Sequence, residues 1–308
     1  MNKLSIAGFT NLGFQLHSRS FEPVGADLTS KTVLITGASG GLGEAATVAL
    51  TGLGARVLAV GRDRAKLDAV EQRTAGRAVG IQADLSSMSE IRSLATKVSD
   101  AEPSLDVLIN NVGVLLNERL VTDERIEATL ATNLAGHFLL TNLLMPRLIE
   151  SAPSRIINVS SGGMYSERIH PGDLQYEKGE YRGASAYART KRGQVILSEM
   201  WAEQLGGTGV VSHAMHPGWA RTAGVERSLP SFNKLMRPLL RTPAQGADTI
   251  VWLAAANEPG LTSGRFWFDR EVVPTHLTES TRETAKERQA LWDGLADLTG
   301  FTPPRYGG

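Results

Sequence analysis

Two rhythms of apolar and polar positions alternate along the chain. Short aliphatic runs with few polar interruptions occupy Thr32–Thr36, Arg56–Val60, Ala78–Gln82, Val107–Asn110, Arg155–Val159 and Val210–Ala214. Such runs predict strands covered on both faces. Between them, apolar residues recur at helical spacing in Glu44–Leu53, Arg64–Thr74, Ser89–Ser99, Leu134–Glu150 and Ala186–Leu205. Strand and helix in alternation predict an α/β fold, a doubly wound parallel sheet with helices on both faces and right-handed crossovers.

No repeat and no Pro/Ser/Gly-rich linker divides the chain, so one domain is expected over residues 31–278. Residues 1–30 read as an N-terminal extension, and 279–308 as a C-terminal helix, near Glu279–Leu298, with its tail. Phe9, Leu12, Phe14 and Leu16 form an apolar stripe expected to pack on the domain rather than on a membrane. Tyr165–Ser185 is the longest stretch without periodicity, and its place before a helix suggests a lid on the substrate side.

Composition narrows the chemistry. The 308 residues are 42% apolar and 21% charged, which is globular composition and long enough for a sizeable core. Lys+Arg and Asp+Glu both number 32, so no net field draws nucleic acid or an anionic membrane. With no cysteine, disulfides, thiolate catalysis and zinc–thiolate centres are excluded, and no metal is expected. A chain without cysteine fits a reducing cytoplasm. No run reaches the roughly 18 apolar residues of a membrane span. The N-terminus lacks the basic start and continuous apolar stretch of a secretory signal.

The first strand runs into Thr36-Gly37-Ala38-Ser39-Gly40-Gly41-Leu42-Gly43, and a helix follows. Glycines at a strand-to-helix turn let backbone N–H groups approach a pyrophosphate, and the helix N-terminus favours its charge. Gly37, Ser39, Gly41, Leu42 and Gly43 are therefore candidate cofactor contacts. The second strand ends at Val60-Gly61-Arg62-Asp63. A site selecting NAD often places a carboxylate there for the ribose 2′-OH, and Gly61 lacks one. Arg62 offers a planar fork for a 2′-phosphate, so NADP is favoured over NAD, with Asp63 close by. Asp84, past the third strand, can accept from an adenine amino group, with Leu85 beside it. Asn111 and Gly113, in Asn110-Asn111-Val112-Gly113, leave the fourth strand at the edge where ligands of such sheets bind.

Tyr187 and Lys191 stand four apart in a helical pattern and share one face. A free phenol titrates near about 10 and needs help to exchange protons at neutral pH. A neighbouring ammonium is expected to lower that value, making Tyr187 the general acid or base, and Lys191 can also hold a nicotinamide ribose. Ser161, in Val159-Ser160-Ser161-Gly162-Gly163 after the fifth strand, can orient a carbonyl. Asn133 is either a helix cap or the holder of a water that relays protons to Lys191. Pro217, Gly218 and Thr222, after the sixth strand, suit a turn against the nicotinamide. His216 is given no role.

In this order the segments TGASGGLG, NNVG, Asn133, VSSGG, YARTK and HPGWART resemble the short-chain dehydrogenase/reductase family over almost the whole chain. The resemblance implies a single-domain Rossmann fold, a catalytic group of Asn133, Ser161, Tyr187 and Lys191, and hydride transfer between a nicotinamide and a carbonyl or alcohol. Leu42 stands where Ile is usual, and NNVG replaces NNAG. The insert between Ser161 and Tyr187 is longer than in compact members, which resembles the retinol-dehydrogenase-like branch. Ser160–Met164, Met215–Trp219, Gln245–Thr249, Ser263–Phe266 and Val273–Leu277 look like its orphan subgroup numbered twelve, whose substrate is undefined. The expected partner is a small, fairly apolar carbonyl or alcohol, shaped by Tyr165–Ser185 and Ala223–Arg241; a homo-oligomer is left open. A cofactor-binding regulator without turnover is the alternative, but both Tyr187 and Lys191 are present. Nucleotide-sugar epimerases usually carry a different glycine spacing.

Overall fold

The computed structural model describes residues 4–5, 7–221, 234, 236–304 and 306. Among these, eight strands form one sheet: β1 (Thr32–Thr36), β2 (Arg56–Gly61), β3 (Ala78–Gln82), β4 (Val107–Asn110), β5 (Ser154–Val159), β6 (Val210–His216), β7 (Arg265–Phe268) and β8 (Glu271–Val272). Their spatial order is β3-β2-β1-β4-β5-β6-β7-β8, and only the β7–β8 pair is antiparallel. The principal helices are α1 (Asn11–His17), α2 (Gly41–Gly52), α3 (Arg64–Arg73), α4 (Met88–Ala101), α5 (Gly136–Glu150), α6 (Gly183–Gln204), α7 (Pro243–Ala255) and α8 (Ala285–Thr299). The expected single-domain Rossmann architecture is therefore present.

Successive strand residues point to opposite faces, and here both faces are buried. Leu34, Leu58, Leu108 and Ile156 enter one layer, against Ile91 of α4, Phe138 of α5, Trp201 of α6 and Leu295 of α8. Val33, Val57, Ile109 and Ile157 enter the other, against Leu50 of α2, Leu67 of α3 and Ile250 of α7. Strand order reverses between β1 and β4, so a crevice opens at their carboxyl ends, where ligands of such sheets bind.

Several elements differ from the sequence expectation. β6 runs on to His216, and α6 begins at Gly183 rather than Ala186. The pattern did not predict β7, β8 or α7. β7 opens on an arginine and is aromatic rather than aliphatic, and β8 has two residues. The last turns of α7, Val251–Ala255, read as an apolar run without a polar face. Its start, however, is specified locally by a Thr242/Gln245 capping box with Pro243 in the first turn. The supposed lid is anchored at mid-length, because Ile169 and Tyr176 are buried.

The stripe near the N-terminus divides. Phe9 packs edge-on against Phe268, and Phe14 lies under Arg241, while Leu12 and Leu16 stay exposed. This segment is held by a buried ion pair. Arg241 grips Asp269 with two hydrogen bonds of 2.6 and 2.8 Å, each side chain being 1% exposed. The remaining guanidinium donors reach the Gly8 and Phe9 carbonyls, and His17 Nδ1 lies 2.6 Å from Asp269 Oδ2. Removing one partner of such a pair strands the other charge out of water. Asp269→Ala should therefore lose about 3–5 kcal/mol of unfolding free energy in a denaturant titration. A loss typical of exposed ion pairs, below about 1 kcal/mol, would show that the pair is not doing this structural work.

Candidate active site

The turn after β1 is built by close approach. A β-carbon on Gly43 would lie 2.2 Å from the Gly37 carbonyl oxygen and 2.6 Å from Asn111 Nδ2. Glycine therefore lets α2 start directly against the loop. Gly37 and Gly41 take positive φ, and no side chain caps α2. An N-terminus without a side-chain cap, with the helix dipole behind it, is a setting that favours an anion. Asn111 fastens the far wall: its Nδ2 donates to the Thr36 carbonyl at 2.8 Å, and its N–H to Thr36 Oγ1 at 3.0 Å. Leu42 points away from the loop into the α2–α7 contact.

The end of β2 is equally crowded. A β-carbon at Gly61 would fall 2.8 Å from Ser39 Oγ. Asp63 is used locally: it caps α3 by accepting from the Lys66 N–H at 3.1 Å. Arg64 is tied to Asp68, Glu71 and the Gly80 carbonyl. Arg62 instead projects with its side chain 66% exposed and reaches only the edge of Asp84, at 3.5 Å. Asp84 Oδ1 accepts from the Ser86 N–H and hydroxyl, each at 2.8 Å. Leu85 is buried in the core, so its side chain faces away from the crevice.

The predicted catalytic residues converge beside this crevice. Ser161 Oγ and the Tyr187 ring face one another across Gly163, whose β-carbon would stand 3.6 and 3.9 Å from them. Lys191 Nζ lies 5.5 Å from the centre of the Tyr187 ring and donates to the Val159 carbonyl at 2.8 Å and to Gln194 Oε1 at 3.2 Å. A side chain at Gly113 would intrude here, since its β-carbon would stand 3.1 Å from Lys191 Nζ. Asn133 is not a helix cap. It lies in a π turn, Ala131–Ala135, ahead of α5, and such turns often re-aim functional groups. Its side chain exchanges hydrogen bonds with the Val114 backbone at 2.8 and 2.9 Å and donates to Thr190 Oγ1. Its backbone carbonyl accepts from Gln194 Nε2 at 2.7 Å.

Two residues without a predicted role shape the site. Gln194 follows Tyr187 and Lys191 at i+7 and i+3, the same helical face, and that spacing was the available signal. His216 joins two turns, its Nδ1 accepting from the Gly162 and Gly218 N–H groups at 3.0 and 3.3 Å. Burial pushes its pKa down to about 3, so it acts as a neutral acceptor. Gly218 lies against the Arg241 guanidinium, and the Pro217 carbonyl accepts from it at 3.4 Å. Thr222 lies outside the described residues, as does most of Ala223–Arg241. No cluster of metal-ligating side chains and no helix long and apolar enough to cross a membrane occurs among the described residues.

Residues 31–231 match the family described as short chain dehydrogenase. The chain is 35% identical to human dehydrogenase/reductase SDR family member 12, covering 94% of this chain and 93% of that protein. It is 36% identical to mouse retinol dehydrogenase 14, covering 88% and 86%. A crystal structure of an uncharacterised protein from Mycobacterium paratuberculosis superposes with a TM-score of 0.74 at 27% identity, covering 91% of this chain and 97% of that one.

Burial acts on both members of the Tyr187–Lys191 pair. It pushes the phenol upward, the reverse of the lowering expected from a neighbouring ammonium. It pushes the Lys191 amine down from 10.5 to about 7. Between those values the unfolded chain binds a proton that the folded protein does not, so stability rises with pH through the window. The cost of burying the charge is fully present below about 7. Lys191→Met removes that cost. The melting temperature of the variant relative to the original protein should be highest at low pH and decline through the same window. A difference independent of pH would refute the buried-amine account.

Proposed function

This chain belongs to the short-chain dehydrogenase family, an oxidoreductase family, and from that premise we propose an NADP-dependent carbonyl reductase or alcohol dehydrogenase with Tyr187 as its general acid/base. The observation that carries the reading is the meeting of Ser161 and Tyr187 beside Gly163 with Lys191 one turn along, at the carboxyl edge of the sheet. A bound nicotinamide supplies or takes up the hydride. Ser161 and Tyr187 hold the substrate oxygen between two hydroxyls. Burial keeps the phenol protonated at neutral pH, so Tyr187 enters the reductive direction as a ready proton donor. Lys191 orients the ribose and, when protonated, stabilises the phenolate that remains.

The uncapped start of α2 suits the pyrophosphate, and the exposed Arg62 suits the 2′-phosphate that distinguishes NADP. Asp63, occupied as a cap, does not compete for a ribose. Val114, held to Asn133 through its backbone, is half-buried, as are Leu115 and Leu116 after it, and this apolar run favours an apolar body on the carbonyl compound. A cytoplasmic location accords with the absence of cysteine.

Tyr187→Phe should lower kcat by at least about a hundredfold, the scale of general acid catalysis, while binding of the reduced cofactor, followed by its fluorescence, stays measurable. Full turnover in this variant would remove Tyr187 from the mechanism. Arg62→Ala should raise KM for NADP at least about tenfold and leave NAD unaffected, because only NADP loses a charged hydrogen bond. Equal changes with both cofactors would show that Arg62 does not read the phosphate.

A further inference from the structure

Gln194 lies in none of the motifs that carry the family resemblance, yet its amide stands at the centre of the polar network beneath Tyr187. Gln194 Oε1 accepts from Lys191 Nζ at 3.2 Å, and Nε2 donates to the Asn133 carbonyl at 2.7 Å. The same Nε2 lies 2.8 Å from His137 Nδ1. These partners fix the amide's orientation. Flipped, it would set its oxygen against the Asn133 carbonyl oxygen and its nitrogen against the Lys191 amine. They also fix the imidazole: burial holds His137 neutral, at a pKa of about 3, so Nδ1 is the acceptor. All the participants are buried.

The geometry assigns Gln194 as a positioning residue that aims Lys191 at Tyr187 and ties it to the Asn133 carbonyl. The assignment rests on the reading of Tyr187 and Lys191 as the catalytic pair. Among the described residues Lys191 has two acceptors, the Val159 carbonyl and Gln194, and of these Gln194 is the side chain. The ionisable groups facing it are Tyr187 on its own helix and His137 on α5; β5 and the turn after β4 present backbone atoms. No carboxylate among the described residues pairs with it. Gln194 therefore adjusts both the direction of the amine and its hold on a proton.

Two variants separate this role from a merely structural one. Gln194→Met keeps the length and removes the acceptor. Gln194→Glu keeps the shape and places a carboxylate beside the amine. Profiles of kcat/KM against pH, on any carbonyl substrate that is turned over, should shift in opposite directions. The limb governed by Lys191 moves down in the Met variant and up, by about one unit or more, in the Glu variant. The Met variant should also lose roughly ten- to a hundredfold in kcat with little change in substrate KM, the cost of a misaimed group. Thermal melts of the cofactor-free proteins give a readout independent of turnover. The pH at which stability begins to rise should move in the same two directions. Folded variants whose profiles and melts superpose on the original, or move together in one direction, overturn the assignment. If Tyr187→Phe retains turnover, the catalytic reading fails on its own, and the melts still report whether Gln194 holds Lys191.

Discussion

The site depends on how the inner face of α6 is fastened to the end of β5. Ser160 Oγ donates to the Lys191 carbonyl at 2.8 Å, Asn158 Nδ2 to Ser198 Oγ at 2.9 Å, and Lys191 Nζ to the Val159 carbonyl at 2.8 Å. Behind Asn158, Asn110 Nδ2 donates to its Oδ1 at 3.0 Å and carries the connection to β4. These bonds are buried, so each unmade one would cost the full desolvation of its group. They fix the rotation of α6 about its own axis. That rotation brings Tyr187 to Ser161 while its neighbours pack inward.

The same burial that makes the fastening strong sets the protonation of the groups it holds. Water is excluded from beneath Tyr187, so the phenol keeps its proton and the amine gives its own up more readily. The pair is therefore not a permanent ammonium beside a ready phenolate. It is a neutral donor beside an amine that titrates near physiological pH, a setting in which small changes in surrounding acceptors have large effects. Gln194 supplies one of the two acceptors, which is why a residue outside the recognisable motifs matters to the chemistry.

A second fastening lies across the crevice. The N-terminal segment is tied over the loop that follows β6 through Phe9, Arg241 and Asp269, and Phe9 rests edge-on upon His216. His216 in turn joins the turns at Gly162 and Gly218. The wall beside Ser161 and the wall at Pro217–Gly218 are thus parts of one packed unit. Residues far apart in the chain, near positions 9, 162, 218, 241 and 269, meet there.

The chain itself determined the alternation of strand and helix, the glycine turn after β1 and the shared face of Tyr187 and Lys191. Each is a local pattern, set by residues within a few positions of one another. Aromatic β7, two-residue β8 and the apolar end of α7 left no such pattern, although the Thr242/Gln245 cap was there to be read. The tertiary structure decided everything that depends on distant partners. It placed Asn133 in a π turn with its carbonyl on Gln194, used Asp63 as a cap, left Arg62 exposed, and made His216 a joint. It also reversed the expected direction of the Tyr187 shift. Ionisation and hydrogen bonding follow from which groups are buried together, and burial is a property of the folded whole.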